Sequence, residues 1–203
     1  DTIKRVSRTK SKITIIKLEN MSNGIKVLKR DGTVAPIDLE KVHKMVEFAC
    51  EDLAGVSASQ VEIQSGLQFC DGITTADIQE ILVKSASDLI ELDHPNYQFV
   101  AARLLLFGLR KAVHNHHEDH PFILHHVMKA SENGVYDKGI LEKYTDEEWR
   151  EIDSYIDYGR DYLFTYAGLR QIVDKYLVQD RSTGEHYETP QQMYIMIAAT
   201  LFA

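Results

Sequence analysis

The chain has 203 residues, 44% hydrophobic and 27% charged, enough for one or two domains with real cores. Its formal net charge of −8 argues against general binding to nucleic acid or an anionic membrane surface, both of which need clustered positive charge. Partners are therefore expected among small molecules and proteins.

Residues 1–20 carry six basic side chains (Lys4, Arg5, Arg8, Lys10, Lys12, Lys17) against two acidic ones and show no periodicity. They read as a disordered or untranslated extension, with Met21 as the true start. Val27 and Leu28 then lead into Lys29-Arg30-Asp31-Gly32, and Asp-Gly between extended flanks predicts a hairpin with a two-residue type I′ turn. The return strand is expected over Thr33 to Ile37. Asp38 stands at an N-cap position before a run with apolar residues at Val42, Met45, Val46, Ala49, Cys50 and Leu53, the spacing of a helix buried on one face. Lys41 falls in the first turn of that helix, where the macrodipole disfavours a cation, so a nearby bound anion would account for it. The plain alternative is a solvated turn with an incidental lysine.

Ser57 and Gln60 have capping-box spacing and open a weaker helical segment that ends near Cys70-Asp71-Gly72, with Gly72 as a C′ residue. Thr74-Thr75-Ala76-Asp77 starts another helix with Ile78, Ile81, Leu82, Ser85, Ala86 and Leu89 on one face, broken by Asp93-His94-Pro95. A fourth helix carries Tyr97, Val100, Ala101, Leu104, Leu105 and Gly108, and the stripe continues to Lys111, which could aim inward. Residues 112–126 read as a linker. His114, His116, His117 and His120, with Glu118 and Asp119, suggest a metal there, but a polar linker supplies neither fixed geometry nor outer hydrogen-bond partners, and no metal ligand is expected.

Further on, Thr145 to Glu148 is a capping box opening a helix with Trp149, Ile152 and Ile156 inward. A helix around Tyr162, Tyr166, Leu169 and Val173 follows. Tyr176-Leu177-Val178 and His186-Tyr187-Glu188 flank Arg181-Ser182-Thr183-Gly184 as a second hairpin. Thr189-Pro190-Gln191-Gln192 starts the last helix, whose apolar pattern continues to Ala203. No Ser/His/Asp array, Walker loop or acid/base carboxylate pair is present, so no catalytic residue is expected. Cys50 and Cys70 lack CxxC spacing and read as reduced thiols, no apolar run approaches the ~18 residues of a membrane span, and the cytoplasm is the expected compartment.

Taken together, KRDG, DGITTADIQ, PNYQFVAARLLLFGLRK, YDKGILEKYTDEE and KYLVQDRSTGEHYETPQQMY resemble the N-terminal part of the large subunit of class I ribonucleotide reductase. The resemblance implies a mainly α fold with short β-hairpins: an ATP-cone over 21–115, built as a hairpin lid on a four-helix bundle, and then a mostly helical region over 116–203. It also implies an allosteric site for ATP as activator and dATP as inhibitor, with Mg and no covalently bound cofactor. Val27, Lys29 and Arg30 match the hairpin contacts, the two basic residues lying at the phosphates. Ala35, Pro36, Ile37, Asp38, Leu39, Glu40 and Lys41 match the passage that wraps the nucleoside. Thr75 matches a phosphate-side contact and Lys111 the distal lysine. Ala35 stands where a glutamate is common and Gln79 where a histidine is common, which leaves the base to backbone and Asp38 and weakens the expected response to dATP. The family's active-site cysteines match neither Cys50 nor Cys70, so this stretch is expected to be inactive alone. Implied partners are the radical-bearing small subunit and further copies of the large subunit. The rival reading is a stand-alone ATP-cone sensor or regulator without catalysis.

Overall fold

The computed structural model describes residues 24–115 and 120–202. The expected extension over 1–20, Met21 and the side chains of His116, His117, Glu118 and Asp119 lie outside the described residues. Two compact units divide at Leu105/Leu106. Among the described residues, no helix is long and apolar enough to cross a membrane.

The first unit begins with a hairpin, β1 (Lys26–Leu28) and β2 (Val34–Pro36), antiparallel with Val27 opposite Ala35. The turn lies where expected but is not the two-residue type. Lys29 N–H donates to the Thr33 carbonyl at 2.8 Å and Gly32 N–H to the Lys29 carbonyl at 3.0 Å, so three residues form the loop. Only Gly32 takes a left-handed conformation there, at φ +81°, as in a type I turn closed by a glycine bulge. The Asp31 carboxylate accepts from both the backbone N–H and the hydroxyl of Thr33, at 2.9 and 2.6 Å, and locks the tip.

A third strand, β3 (Ile73–Thr74), was not expected from the sequence. It pairs parallel to β1, with Val27 opposite Ile73 and Leu28 opposite Thr74, giving a sheet of order β2-β1-β3. Gly72 therefore does not cap a helix. Its N–H donates to the Lys26 carbonyl at 2.8 Å, while Asp71 accepts from Lys26 N–H at 2.8 Å, and these bonds splice β3 onto the sheet.

Helix α1 (Leu39–Cys50) starts where Asp38 caps it and ends short of Leu53, as Asp52 turns to φ +58°. Helix α2 (Ala58–Gly66) lacks the expected capping box because Tyr97 occupies both groups. The Tyr97 hydroxyl accepts from Ser57 N–H at 2.9 Å and donates to Gln60 Oε1 at 2.6 Å. Helix α3 (Thr75–Ser87) has the expected start, with Thr74 and Asp77 capping each other. Helix α4 (Tyr97–His114) extends into the expected linker, and its stripe is broader than one face. Ala102, Leu106, Phe107, Leu109 and Arg110 are buried together with Tyr97, Val100, Ala101 and Leu104, whereas Lys111 is exposed rather than inward. The expected helical bundle beneath a hairpin is thus present, with β3 added.

In the second unit, α5 (Ile123–Glu132), a 3₁₀ turn (Lys138–Glu142) and α6 (Asp146–Ser154) enclose Ile123, Val127, Ile140 and Trp149, joined by Met196 and Ala199. The Thr145/Glu148 capping box is formed, and Ile152 and Ile156 pack on this core as expected. The helix expected around residues 162–173 is divided. A 3₁₀ turn (Tyr158–Leu163) ends at extended Phe164, Thr165 caps α7 (Tyr166–Gln171), and a π-turn (Ile172–Tyr176) follows. The second hairpin is narrower than expected, β4 (Gln179–Asp180) against β5 (Glu185–His186). Helix α8 (Pro190–Leu201) starts as expected, the Thr189 N–H donating to Gln192 Oε1 at 2.9 Å.

Candidate functional site

The pairing of β1 with β3 determines where the basic turn lies. Leu28 is opposite Thr74, so the next residues of the two strands, Lys29 and Thr75, leave the sheet at the same end. Thr75 opens α3, whose free N–H groups and macrodipole favour an anion, and Lys29 and Arg30 add positive charge there. Asp77, the capping partner of Thr74, is the acidic group of that first turn.

Asp38 and Lys41 lie at the other end. Since β2 runs antiparallel, Pro36 faces Lys26, and the start of α1 is about 10 Å along the strands from the turn. Asp38 Oδ1 accepts from Lys41 N–H at 3.1 Å, and its second oxygen lies 3.3 Å from Lys41 Nζ. The N–H bond, then the lysine charge, holds the Asp38 carboxyl below the usual carboxylate range. Glu40 turns to Lys44 at 2.9 Å. Ala35, Ile37 and Leu39 are half-buried, Pro36 is exposed, and Val27 is a core residue with 5% exposure.

Gln79, one turn into α3, is half-buried and donates from Nε2 to the Leu104 carbonyl at 2.6 Å. Its amide is thus committed to the backbone of α4. Lys111 stands in the last turn of α4, about four turns beyond Tyr97, and outside the first unit. The expected residues therefore fall into a phosphate-suited group (Lys29, Arg30, Thr75), a second group at the α1 start (Asp38, Lys41), and Lys111 on its own element. A surface concavity of about 440 Å³ lined by Lys44, Glu47, Phe48, Cys50, Glu51 and Ala58 shares no residue with them.

Sequence reasoning missed a buried polar centre in the second unit. Arg110 and Asp161 are 2% and 1% exposed and lie 3.1 Å apart. The guanidinium also donates to the Tyr158 carbonyl and the Tyr162 hydroxyl, each at 2.9 Å, and Gln191 donates to Asp161 at 3.0 Å. Nearby, the His114 ring lies 6.0 Å from His120 and 5.9 Å from His126, and His120 stacks on Tyr158 at 3.4 Å. Among the described residues, no group of three His, Cys, Asp or Glu side chains is placed to hold a metal ion. Burial, with His114 and Lys129 adding to it, pulls His126 down to about 4. Its Nε2 is 3.2 Å from the Tyr136 hydroxyl, which in turn donates to buried Glu188.

Two family models match: ATP cone domain over residues 25–112, and ribonucleotide reductase, all-alpha domain, over 162–203. Over 183 residues the chain is 48% identical to ribonucleoside-diphosphate reductase 1 subunit alpha of Escherichia coli (strain K12), covering 90% of this chain and 24% of that protein. Against ribonucleoside-diphosphate reductase subunit alpha of Haemophilus influenzae the identity is 46% with the same coverage. The corresponding subunit of Enterobacteria phage T4 is 40% identical over 179 residues, 87% of this chain and 23% of that protein. The chain thus spans about a quarter of the length of these curated relatives.

Proposed function

We propose that the chain belongs to the ribonucleoside-diphosphate reductase large-subunit family and that its ATP cone, matched over residues 25–112, is an allosteric site taking ATP or dATP with Mg. Phosphates sit at the Lys29–Arg30 turn and the α3 start at Thr75. The nucleoside lies along Ala35, Pro36, Ile37, Asp38, Leu39, Glu40 and Lys41, where Asp38 supplies the polar contact to the base and Lys41 reaches toward the phosphates. Val27 supports the turn from the core, and Lys111 is assigned to the ligand by the family resemblance. The observation that carries this reading is the β1–β3 pairing, which sets two cations beside the positive end of a 13-residue helix. A triphosphate, with about three to four negative charges, is a suitable counterpart.

We place the cone's boundary after Asn115, where α4 has ended and the backbone turns to φ +67°, rather than inside the helix. In the whole protein the nucleotide regulates conversion of ribonucleoside diphosphates to deoxyribonucleotides, with a radical-bearing small subunit and further large subunits as partners, in the cytoplasm. These 203 residues alone are expected to turn over no ribonucleotide. The test of the site is calorimetric titration of the chain with Mg-ATP and Mg-dATP. Saturable binding of both supports it, and absence of binding refutes it.

A further inference from the structure

His43 lies on α1 two residues beyond Lys41, with its side chain 11% exposed. Its Nδ1 is 2.5 Å from Glu62 Oε1 on α2, and its Nε2 is 3.2 Å from Glu47 Oε1 on its own helix. Glu62 is 1% exposed, and its second oxygen is buried without a hydrogen-bond partner. Burial pushes the Glu62 carboxyl above its ordinary range, and the hydrogen bond and charge of His43 pull it back, so the imidazole is the group that answers the buried carboxylate. A neutral ring carries one N–H and can donate to only one of the two carboxylates. With two protons it donates to both and neutralises the buried one.

We propose that Glu62 and His43 are positioning residues for the nucleotide site, a proton-dependent tie between α2 and α1 that sets the α1 start bearing Asp38 and Lys41. This rests on the nucleotide reading above. Besides Glu47 and Glu62, the nearby titratable groups are Cys50 on α1 and Arg103 on α4. Arg103 donates to the Ala49 and Glu51 carbonyls at 3.3 and 2.7 Å. Burial, then Glu62, pushes the Cys50 thiol up to about 12, so it stays neutral at physiological pH. The buried residues of α3 (Ile78, Leu82, Val83, Ser85, Ala86) carry no charge. Loss of the ring's second proton as pH rises leaves one carboxylate facing a lone pair. The tie loosens, and positive charge near an anionic ligand is also removed. Both effects weaken nucleotide binding at higher pH, and by linkage a bound nucleotide raises the pKa of the ring.

The test uses the full 203-residue chain. Mg-ATP affinity is measured by calorimetry between pH 6 and 8.5 for the wild type, Glu62→Gln and His43→Gln, and the His43 ring is titrated by NMR with and without ATP. The wild-type affinity should fall more steeply with pH than that of either variant, by up to about tenfold for each pKa unit by which ATP shifts the ring. The ring's titration should move upward when ATP is bound. Identical pH profiles in wild type and His43→Gln, or a ring titration unmoved by ATP, overturn the tie while leaving the nucleotide reading intact. A wild-type chain that binds no ATP at any pH overturns the nucleotide reading itself, and this inference falls with it. If Glu62→Gln does not fold, the ring titration of the wild type and the His43→Gln profile decide alone.

Discussion

Truncating the exposed lysines of the candidate site should uncouple affinity from stability. Lys29 is exposed and contributes to the hairpin through its backbone, accepting from Gly32 and donating to Thr33, and alanine keeps both bonds. Lys41 pairs with Asp38 at 3.3 Å, but the two side chains are 84% and 49% exposed. An exposed pair of this kind is worth at most about 1 kcal/mol and often nothing measurable. Lys29→Ala and Lys41→Ala should therefore melt within about 2 °C of the wild type. If each lysine meets a phosphate, a charge-assisted bond worth roughly 1.5–3 kcal/mol is lost, and Mg-ATP affinity should fall by about 10- to 150-fold. The two residues are about 10 Å apart along the sheet, so the double variant should lose close to the product of the two factors. Lys44→Ala is the control for general charge, because Lys44 pairs with Glu40 at 2.9 Å and belongs to neither group. Calorimetry at about 0.15 M salt, where charges beyond roughly 8 Å are screened, reads local contacts. If Lys29→Ala and Lys41→Ala both fold and bind ATP within about threefold of the wild type, the assignment of these residues is wrong.

Replacing Gln79 by histidine should raise dATP affinity relative to ATP and add a pH dependence near neutrality, since a ring beside phosphates can hold a proton that an amide cannot; an unchanged dATP/ATP ratio at pH 6.5 and 8 would make the glutamine a silent replacement. Asp161→Ala should cost about 3–5 kcal/mol in urea unfolding, because it strands the buried Arg110 charge, and a cost below about 1 kcal/mol would show that solvent reaches the guanidinium. His126 titrates near 4 in the folded chain, below its ordinary 6.5, so its contribution is present above pH 6.5 and is lost as pH falls toward 4. It amounts to roughly 3 kcal/mol at most, and His126→Gln should lose less stability than the wild type between pH 7 and 4.5; equal losses would contradict a buried neutral ring.

Features legible in the sequence were those decided by neighbours within a few residues. Thr74 with Asp77, Thr145 with Glu148 and Thr189 before Pro190 each start a helix as expected, because a cap needs only a side chain three residues from an N–H. The Asp31-Gly32 pair fixes where the turn lies but not its type, since the loop length depends on how Lys29 and Thr33 pair. Strand β3 is two residues long and is recruited by Lys26, 45 residues before Asp71, so no local periodicity announces it; the β-branched Ile73-Thr74-Thr75 after Gly72 was the available signal. Likewise Tyr97 removes the expected cap of α2 from 37 and 40 residues away. On α4, buried nearly all round, the choice between Arg110 and Lys111 as the inward cation is made by Asp161, 51 residues on. For the site, the residue types were readable from the chain and the family likeness, while the grouping of Lys29 with Thr75 apart from Lys41 depends on strand pairing.

A nucleotide site fed by the Lys29–Arg30 turn stands or falls on one competition titration. The 203-residue chain is saturated with Mg-ATP and titrated with Mg-dATP in a calorimeter, alongside the Lys29→Ala, Lys41→Ala double variant. Saturable ATP binding, displacement of ATP by dATP from the same site, and loss of both in the double variant are expected. No binding of either nucleotide by a folded wild-type chain, or undiminished binding by the double variant, would contradict it.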